Sequence, residues 1–517
     1  MNPSLPYARP NSVGNQKNIS FRAASTPSPA TLKNSLSVLL GVLAIVTVST
    51  TAACAQTPAN VTPAGPVHRV LVGYFPQWGL YNETPYTVKS LTASGGARML
   101  DQINYAQGFV TGGHCSVADP NADLNFSFTA QNSVDGTADS PAQPLRGNFH
   151  QLLELKRLNP HLRITISLEG HGSDFAADAQ PAARTAFVTS CVDLFLKGNI
   201  APGVTAAGLF DGIDIDWEYP QGPDGAHYIP LLQEFRRQMD ALRPGLLLTV
   251  ALGPTPRMYG EADLTALGAL VDRAGLMTYD FSGPWSQTTG LVAPLSAPVG
   301  DSVERSVTSW LRAGIPAEKL LVGLPFYGYG WRDVPDVDHG YRQGGRPIRG
   351  DRPYSYIQGL ISQDAPVAVM TSVAETAVHR APPPPPPTPP SAGPETKDAP
   401  APAPPATAAV ASTSNAPQPP APLTAPVIYR DPVSAAPWLF DGGSFWTYDD
   451  PTSIRSKASF VAQQQLGGFM VWELSGDTPN ATLLNAARSA LLNPPPSPET
   501  AQSEILQASH LDSLSRQ

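Results

Sequence analysis

Cysteine is scarce in this chain. Three occur in 517 residues, Cys54, Cys115 and Cys191, too few for a small fold stapled by disulfides. None has a second Cys or a His at metal-ligand spacing, so no metal is expected, and no cofactor either. Positive charge is also thin: 33 Lys and Arg stand against 42 Asp and Glu, a net charge of −9 with no basic run. That balance argues against nucleic acid and anionic membrane as partners and suits an uncharged substrate such as a polysaccharide. Long apolar runs are missing as well. The one extended stretch, Leu36 to Val48, falls short of the roughly 20 residues a membrane span needs.

Proline is in excess, with 57 residues, more than a compact domain accommodates. The surplus is local: 382–426 is rich in Pro, Ala and Thr, with six prolines in succession from Pro382 to Pro387. Such a composition builds no core and predicts an extended, mostly disordered segment. The tail 493–517 predicts disorder too.

At the other end, Lys33, the apolar stretch and Ala53-Cys54-Ala55 form a basic region, an apolar region and a small-x-small cleavage site. A secretory signal is expected within a long leader, 1–55, cleaved after Ala55. Residues 56–66 make a short linker. Thr51-Ala52-Ala53-Cys54 also resembles a weak lipoprotein box, with Thr51 where an aliphatic is usual, so lipidation at Cys54 is the lesser alternative. The protein is otherwise expected outside the cell, with no membrane contact beyond export. Cys115 and Cys191 suit a disulfide or two buried thiols equally.

Between these ends, short apolar strands alternate with helical spacing. Strands are predicted over 67–74, 101–109, 162–168, 212–217, 246–252, 274–278, 320–325 and 468–472. Helices are predicted over 149–158, 185–197, 227–242, 263–271, 303–313, 454–465 and 483–492, with a long polar loop over 111–147. Eight such alternations indicate an α/β fold, a (β/α)8 TIM barrel. Its functional face lies at the C-terminal strand ends. Tyr74 and Trp78 close strand one, Glu218 and Tyr219 follow strand four, Met277, Tyr279 and Asp280 close strand six, and Trp472 closes strand eight.

The fourth strand carries the chemistry. In Asp211-Gly212-Ile213-Asp214-Ile215-Asp216-Trp217-Glu218-Tyr219-Pro220, acids alternate with apolar residues at the period of a strand. Asp214, Asp216 and Glu218 therefore share one face at spacings of roughly 6.6–6.8 Å. Each like neighbour disfavours ionisation, so at least one carboxyl should keep its proton near neutral pH. A proton-holding carboxyl beside ionised ones is what a general acid for glycosidic cleavage requires. An acidic face in water is the plainer alternative. A calcium loop is excluded because its sixth position, counted from Asp214, is Tyr219 and not Gly.

The acidic strand resembles that of glycoside hydrolase family 18 chitinases. So do Gly73-Tyr74-Phe75, Ile103-Asn104-Tyr105-Ala106, Met277-x-Tyr279-Asp280, Gly323-x-Pro325-Phe326-Tyr327-Gly328 and Gly467-Gly468-x-Met470-x-Trp472-Glu473. The resemblance covers 67–492 apart from the Pro-rich segment. It implies a barrel whose first part is 67–325 and last part 446–492. Between strand seven and its helix it implies a small α+β insertion domain, 326–445, interrupted by 382–426.

It further implies substrate-assisted cleavage of chitin or N-acetylglucosamine oligosaccharides by a protein acting as a monomer. Glu218 would be acid and base, Asp216 would orient the substrate acetamido group, Asp214 would share a proton beneath it, and Tyr279 would donate to the acetamido oxygen. Trp472 would floor the sugar, with Asp280, Met277, Tyr74, Tyr219, Trp78 and Trp285 as substrate contacts, and Trp331 a further aromatic candidate. One departure stands out. Where the family reads Ser-x-Gly-Gly-Trp after strand three, this chain has Ser167-Leu168-Glu169-Gly170-His171, which bears on subsite shape and pH optimum. An endo-acting chitinase is the leading expectation, followed by an endo-β-N-acetylglucosaminidase on N-glycans and a non-catalytic chitin-binding lectin.

Overall fold

The computed structural model describes residues 68–170, 172–361, 366–369, 425–431 and 433–495. The expected leader, linker, most of the Pro-rich segment, nearly all of the tail and His171 lie outside the described residues.

Eight parallel strands close on themselves: β1 (Val70–Pro76), β2 (Gln102–Thr111), β3 (Arg163–Gly170), β4 (Gly212–Ile215), β5 (Leu247–Leu252), β6 (Arg273–Leu276), β7 (Leu320–Pro325) and β8 (Gly468–Trp472). Each pairs with the next, and β1 pairs with both β2 and β8, so the sheet has no free edge apart from a short antiparallel strand, His114–Val117, hung on β2. This is a (β/α)8 barrel.

The strands are buried on both faces, which is why they read as nearly continuous apolar runs. Leu71, Ile103, Ile164, Ile213, Leu248 and Phe469 face outward into one continuous core beneath the helices. Val72, Tyr74, Ala251, Leu321 and Met470 belong to a second cluster that fills the interior. Gly212 sits where β4 meets β5 so closely that a Cβ would lie 2.0 Å from the Leu247 carbonyl oxygen. The Asp-Gly pair opening the acidic strand is thus a packing requirement. Asp211 itself accepts from the Ile164 backbone N–H at 2.9 Å and pairs with Lys156 at 2.9 Å, tying β4 to its neighbours below the site.

Helices cover the barrel over Gly147–Leu158, Arg184–Cys191, Gly225–Leu242, Val303–Arg312, Pro451–Gln463 and Thr482–Leu492. The fifth starts ahead of its expected Ile454 because its first turn, Pro451-Thr452-Ser453, carries no apolar periodicity. What starts it is the cap: Asp450 accepts from the Thr452 and Ser453 backbone N–H groups at 3.0 and 2.8 Å, with Pro at the first helical position. The expected helix 263–271 is instead a 3-10 turn, Leu264–Ala266, and one α turn, Leu267–Leu270. The expected loop 111–147 contains the hairpin strand His114–Val117 and the turn Asn121–Asn125. Cys115 in that hairpin is bonded to Cys191, with Cα atoms 4.9 Å apart, which decides the question the sequence left open.

Between β7 and the helix Pro451–Gln463 lies a second, mostly antiparallel sheet. Its strands run in the order Arg346–Pro347, Tyr327–Arg332, Phe445–Thr447, Pro437–Phe440, Val427–Arg430, Val367–Val369, and Arg352–Pro353 pairs with Tyr327–Arg332. With the helix Tyr354–Gly359 this is the α+β insertion. Its last strand passes the expected boundary at 445, since Trp446 and Thr447 pair with Gly330 and Tyr329. Trp331, considered above as a sugar platform, is fully buried against Phe445 in this insertion and is core.

Candidate active site

β4 ends at Ile215, short of the expected 217, so it holds Asp214 while Asp216 and Glu218 follow on the segment just past it, and the three acids pass through a steep change of environment. Asp214, near the bottom, is 1% exposed and enclosed by hydroxyls. Tyr74 of β1 donates to its Oδ2 at 2.7 Å, Ser167 of β3 donates to the same oxygen at 2.9 Å, and Thr249 of β5 donates to Oδ1 at 2.5 Å. Burial raises its pKa, and those hydrogen bonds pull it back. Asp216 is 8% exposed, and its buried Oδ1 has no hydrogen-bond partner. Burial pushes its pKa well up, and the charges of Glu218, Asp214 and Glu169 all push the same way. Glu218 stands exposed at the mouth, and the Tyr219 hydroxyl bonds to it. Trp217, alternating with the acids, points away into the outer core and stacks on Phe175 at 5.4 Å.

The remaining strand ends converge on the same mouth. Tyr279, just past β6, is 7% exposed, and its hydroxyl faces the Met470 sulfur at 4.0 Å, a weak acceptor. Burial raises its pKa, and Asp280, Asp216 and Glu218 add to the rise, which places the ring among the acids. Met277 and Tyr279 pack in one cluster with Tyr74, against which Trp78, Tyr219 and Trp472 lie half-buried. The Trp472 ring meets Tyr74 at 5.2 Å and Trp78 at 6.2 Å. Asp280 has a left-handed φ of 61°, a conformation that Asp tolerates. It accepts from Tyr327 at 2.6 Å and Tyr329 at 3.0 Å. Trp285 is 61% exposed, with its ring edge-on to Tyr329 at 5.2 Å. The Glu218–Tyr219 and Trp472–Glu473 peptides at this mouth are cis.

Of the residues singled out in the sequence, Trp331 lies in the insertion's core, Asp214 lies deep in the barrel interior, and the others gather above it around the acids and the tyrosines of the insertion. Four contributors were missed: Ser167 and Thr249 beneath the acids, and Tyr327 and Tyr329 from the insertion. The first two owe their place to strand register, which only the folded sheet reveals: Ser167 and Thr249 are the residues paired with Asp214 on either side of β4. Tyr327 falls within the Gly323-x-Pro325-Phe326-Tyr327-Gly328 motif, which was the signal for it, but nothing local marks Tyr329; both reach Asp280 only through the fold of the insertion.

The surroundings can hold a proton among close carboxyls, offer one buried acceptor to an N–H donor, and present aromatic faces to a ring-shaped ligand. Among the described residues no group of His, Cys, Asp and Glu could hold a metal.

Residues 70–477 match the family described as Glycosyl hydrolases family 18. Chitinase C of Streptomyces lividans is 33% identical over 429 residues, covering 80% of this chain and 58% of its own length. Chitinase 63 of Streptomyces plicatus is 32% identical over 444 residues, covering 82% and 61%. The chain therefore spans about three fifths of the length of these curated relatives. Among solved structures, the catalytic domain of the psychrophilic chitinase B from Arthrobacter TAD20 superposes with a TM-score of 0.65 at 28% identity, covering 84% of this chain and 99% of that one. By the extent of the family match, and by the acidic strand set in a closed eight-stranded barrel, this chain belongs to the glycosyl hydrolases of family 18.

Proposed function

We propose that the protein is an exported chitinase that cuts β-1,4-linked N-acetylglucosamine polymers within the chain. Configuration is retained, and the substrate's own acetamido carbonyl acts as the nucleophile. The observation that carries this reading is the buried Asp216 Oδ1 without a partner. A buried acceptor left unsatisfied costs about 1–3 kcal/mol, and an acetamido N–H supplies the missing donor.

Glu218, exposed where a polymer can reach it, protonates the glycosidic oxygen. As that bond breaks, the acetamido oxygen closes on the anomeric carbon to give an oxazolinium. Tyr279 donates to the acetamido oxygen, and Asp216 Oδ1 accepts the N–H and fixes the group in line. Three hydroxyls hold Asp214 as an anion, so the extra proton of the strand falls on Asp216. It is shared toward Glu218 as that residue releases its own, and negative charge grows on Asp216 against the oxazolinium. Water then opens the ring, Glu218 takes a proton from it, and the resting arrangement returns.

Trp472, backed by Tyr74 and Trp78, floors the reacting sugar. Met277, Tyr219 and Asp280 line it, and Trp285 meets a more distant unit. One chain supplies every group, so a monomer suffices. Export is supported by the leader composition and by the Cys115–Cys191 bond, which belongs to an oxidising compartment. Among the described residues no helix is long and apolar enough to cross a membrane.

The test is an assay of chitin oligomers beside a high-mannose glycopeptide, with Glu218→Gln as control. Chitin oligomers should be cut and the glycopeptide left intact. Cleavage of the glycopeptide alone would move the assignment to an endo-β-N-acetylglucosaminidase, and binding without cleavage to a lectin.

A further inference from the structure

The acid cluster has a fourth member that the mechanism above does not use. Side chains of β3 alternate between core and barrel interior. Thr165 points inward to donate to Asn104 Oδ1 at 2.7 Å, and Ser167 points inward to donate to Asp214 at 2.9 Å. Glu169 is the next residue on that face. Ser167 pairs with Asp214 across β3 and β4, so two residues further along both strands Glu169 comes level with Asp216. The strands still track one another there, because the Asp216 backbone N–H donates to the Leu168 carbonyl at 3.1 Å. Neighbouring strands lie about 4.8 Å apart. Glu169 therefore flanks Asp216 from the side much as Glu218 does from above, and its carboxyl is exposed while that of Asp216 is buried.

We propose that Glu169 is a positioning residue, acting through Asp216 and Glu218 to keep the proton of the acid cluster in place to higher pH. This rests on the reading of Glu218 as the general acid. The like charges acting on Asp216, after burial itself, are Glu218, Asp214 and Glu169.

Other titratable groups around the cluster are Tyr74 of β1, Tyr219 after β4, Tyr228 of the helix Gly225–Leu242, Tyr259 beside it, Tyr279 with Asp280 after β6, and the Arg273 guanidinium of β6, which lines the cavity beneath Asp214 and donates to Gln102. The phenols are all pushed up and stay neutral. Asp280 already accepts from two tyrosines and sits past β6, across Tyr279 from the acids. Glu169 is distinct from the residues assigned above as the acid, its buried partner and the substrate contacts. The sign follows directly: a nearby negative charge favours the protonated form of Asp216 and Glu218, so the alkaline limb of activity lies higher with Glu169 than without it. Two unit charges roughly 5 Å apart in a water-like medium shift a pKa by about half a unit.

Glu169→Gln keeps the shape and removes the charge; Glu169→Asp keeps the charge. The full chain labelled with carbon-13 at its carboxyls is titrated by NMR, and the Asp216 signal is identified by its loss in Asp216→Asn. The alkaline limb of kcat/KM on a chitin oligomer is measured in parallel at low and high salt. Glu169→Gln should lower both the Asp216 midpoint and the alkaline limb by about half a unit. Glu169→Asp should restore both, and high salt should shrink the difference. A midpoint and limb unchanged in Glu169→Gln would overturn the inference, as would an Asp variant indistinguishable from the Gln variant. If the midpoint moves but no oligomer is cut, the charge coupling stands and the chitinase reading falls. If oligomers are cut with one common limb, the reverse holds.

Discussion

Two buried aspartates in this molecule meet opposite fates. Asp449 lies between the insertion's strand Phe445–Thr447 and the helix Pro451–Gln463, 1% exposed, where it receives the Lys457 ammonium, itself 1% exposed, and the Ser453 hydroxyl at 2.8 Å. Burial pushes its pKa up and Lys457 pulls it back. Asp216 is nearly as deep, yet every neighbouring charge acting on it is of its own sign, and one of its oxygens has no partner. Both groups bear the same kind of desolvation cost. Asp449 is compensated within the protein and serves the fold. Asp216 is left for something outside the protein to compensate, which is how a binding or reacting site differs from a structural one.

The widest separation between the two regions should come from Glu218→Gln. Loss of a general acid typically costs about 10²–10⁴-fold in rate, and more when the same group also serves as base. Turnover of chitin oligomers should fall at least that far while the melting temperature stays within a degree or so, since the site is exposed and the change nearly isosteric. A variant keeping a tenth of wild-type kcat would remove Glu218 from the central role.

Lys457→Met inverts that pattern. Leaving one ion of a buried pair alone costs about 3–5 kcal/mol, so thermal unfolding should drop markedly while the kcat of the folded fraction is unchanged. Replacing Asp449 by Leu in the same chain should recover most of the loss. Failure of the second change to rescue would mean that the pair is not the unit proposed.

Breaking the Cys115–Cys191 bond is expected to cost about 2–4 kcal/mol, because it closes a long loop, with 76 residues separating its ends. A Cys191→Ser variant compared with the oxidised parent by denaturant melts provides the measure, and an unchanged midpoint would count against it.

The smallest effect is the most diagnostic of stored charge repulsion. The Asp216 pKa is raised on folding, so the stability it contributes is complete below the ordinary carboxylate range and is lost as pH rises through the raised value. Asp216→Asn removes that loss. The variant should melt higher than wild type at pH 7, by up to a few degrees, and converge on it near pH 4, even as its chitin turnover falls. A lower melting temperature at pH 7 would show that the carboxyl is not under strain.

Much of this was legible in the chain, for identifiable reasons. Strands seven and eight fall over 320–325 and 468–472 in both reading and structure, because parallel strands buried on both faces announce themselves as apolar runs. Asp214, Asp216 and Glu218 were legible because period two alone puts them on one face. The hydroxyls of Ser167 and Thr249 were not, since a residue's cross-strand partner depends on register, which no local pattern encodes. The helix Gly172–Asp178 went unread because it is short and sits in a run of Gly, Ser, Asp and Ala with little apolar periodicity. Trp331 was open between core and sugar platform for a related reason: aromatic content says nothing about which face of a sheet receives it, and here that face is the insertion's own core.

In the proposed mechanism the substrate's acetamido group completes Asp216 and is itself the nucleophile. Sequencing the new reducing ends released from partly acetylated chitosan tests it most directly. N-acetylglucosamine should stand at those ends, and fully deacetylated chitosan and cellulose oligomers should not be cleaved. Glucosamine appearing there as often as N-acetylglucosamine would contradict it.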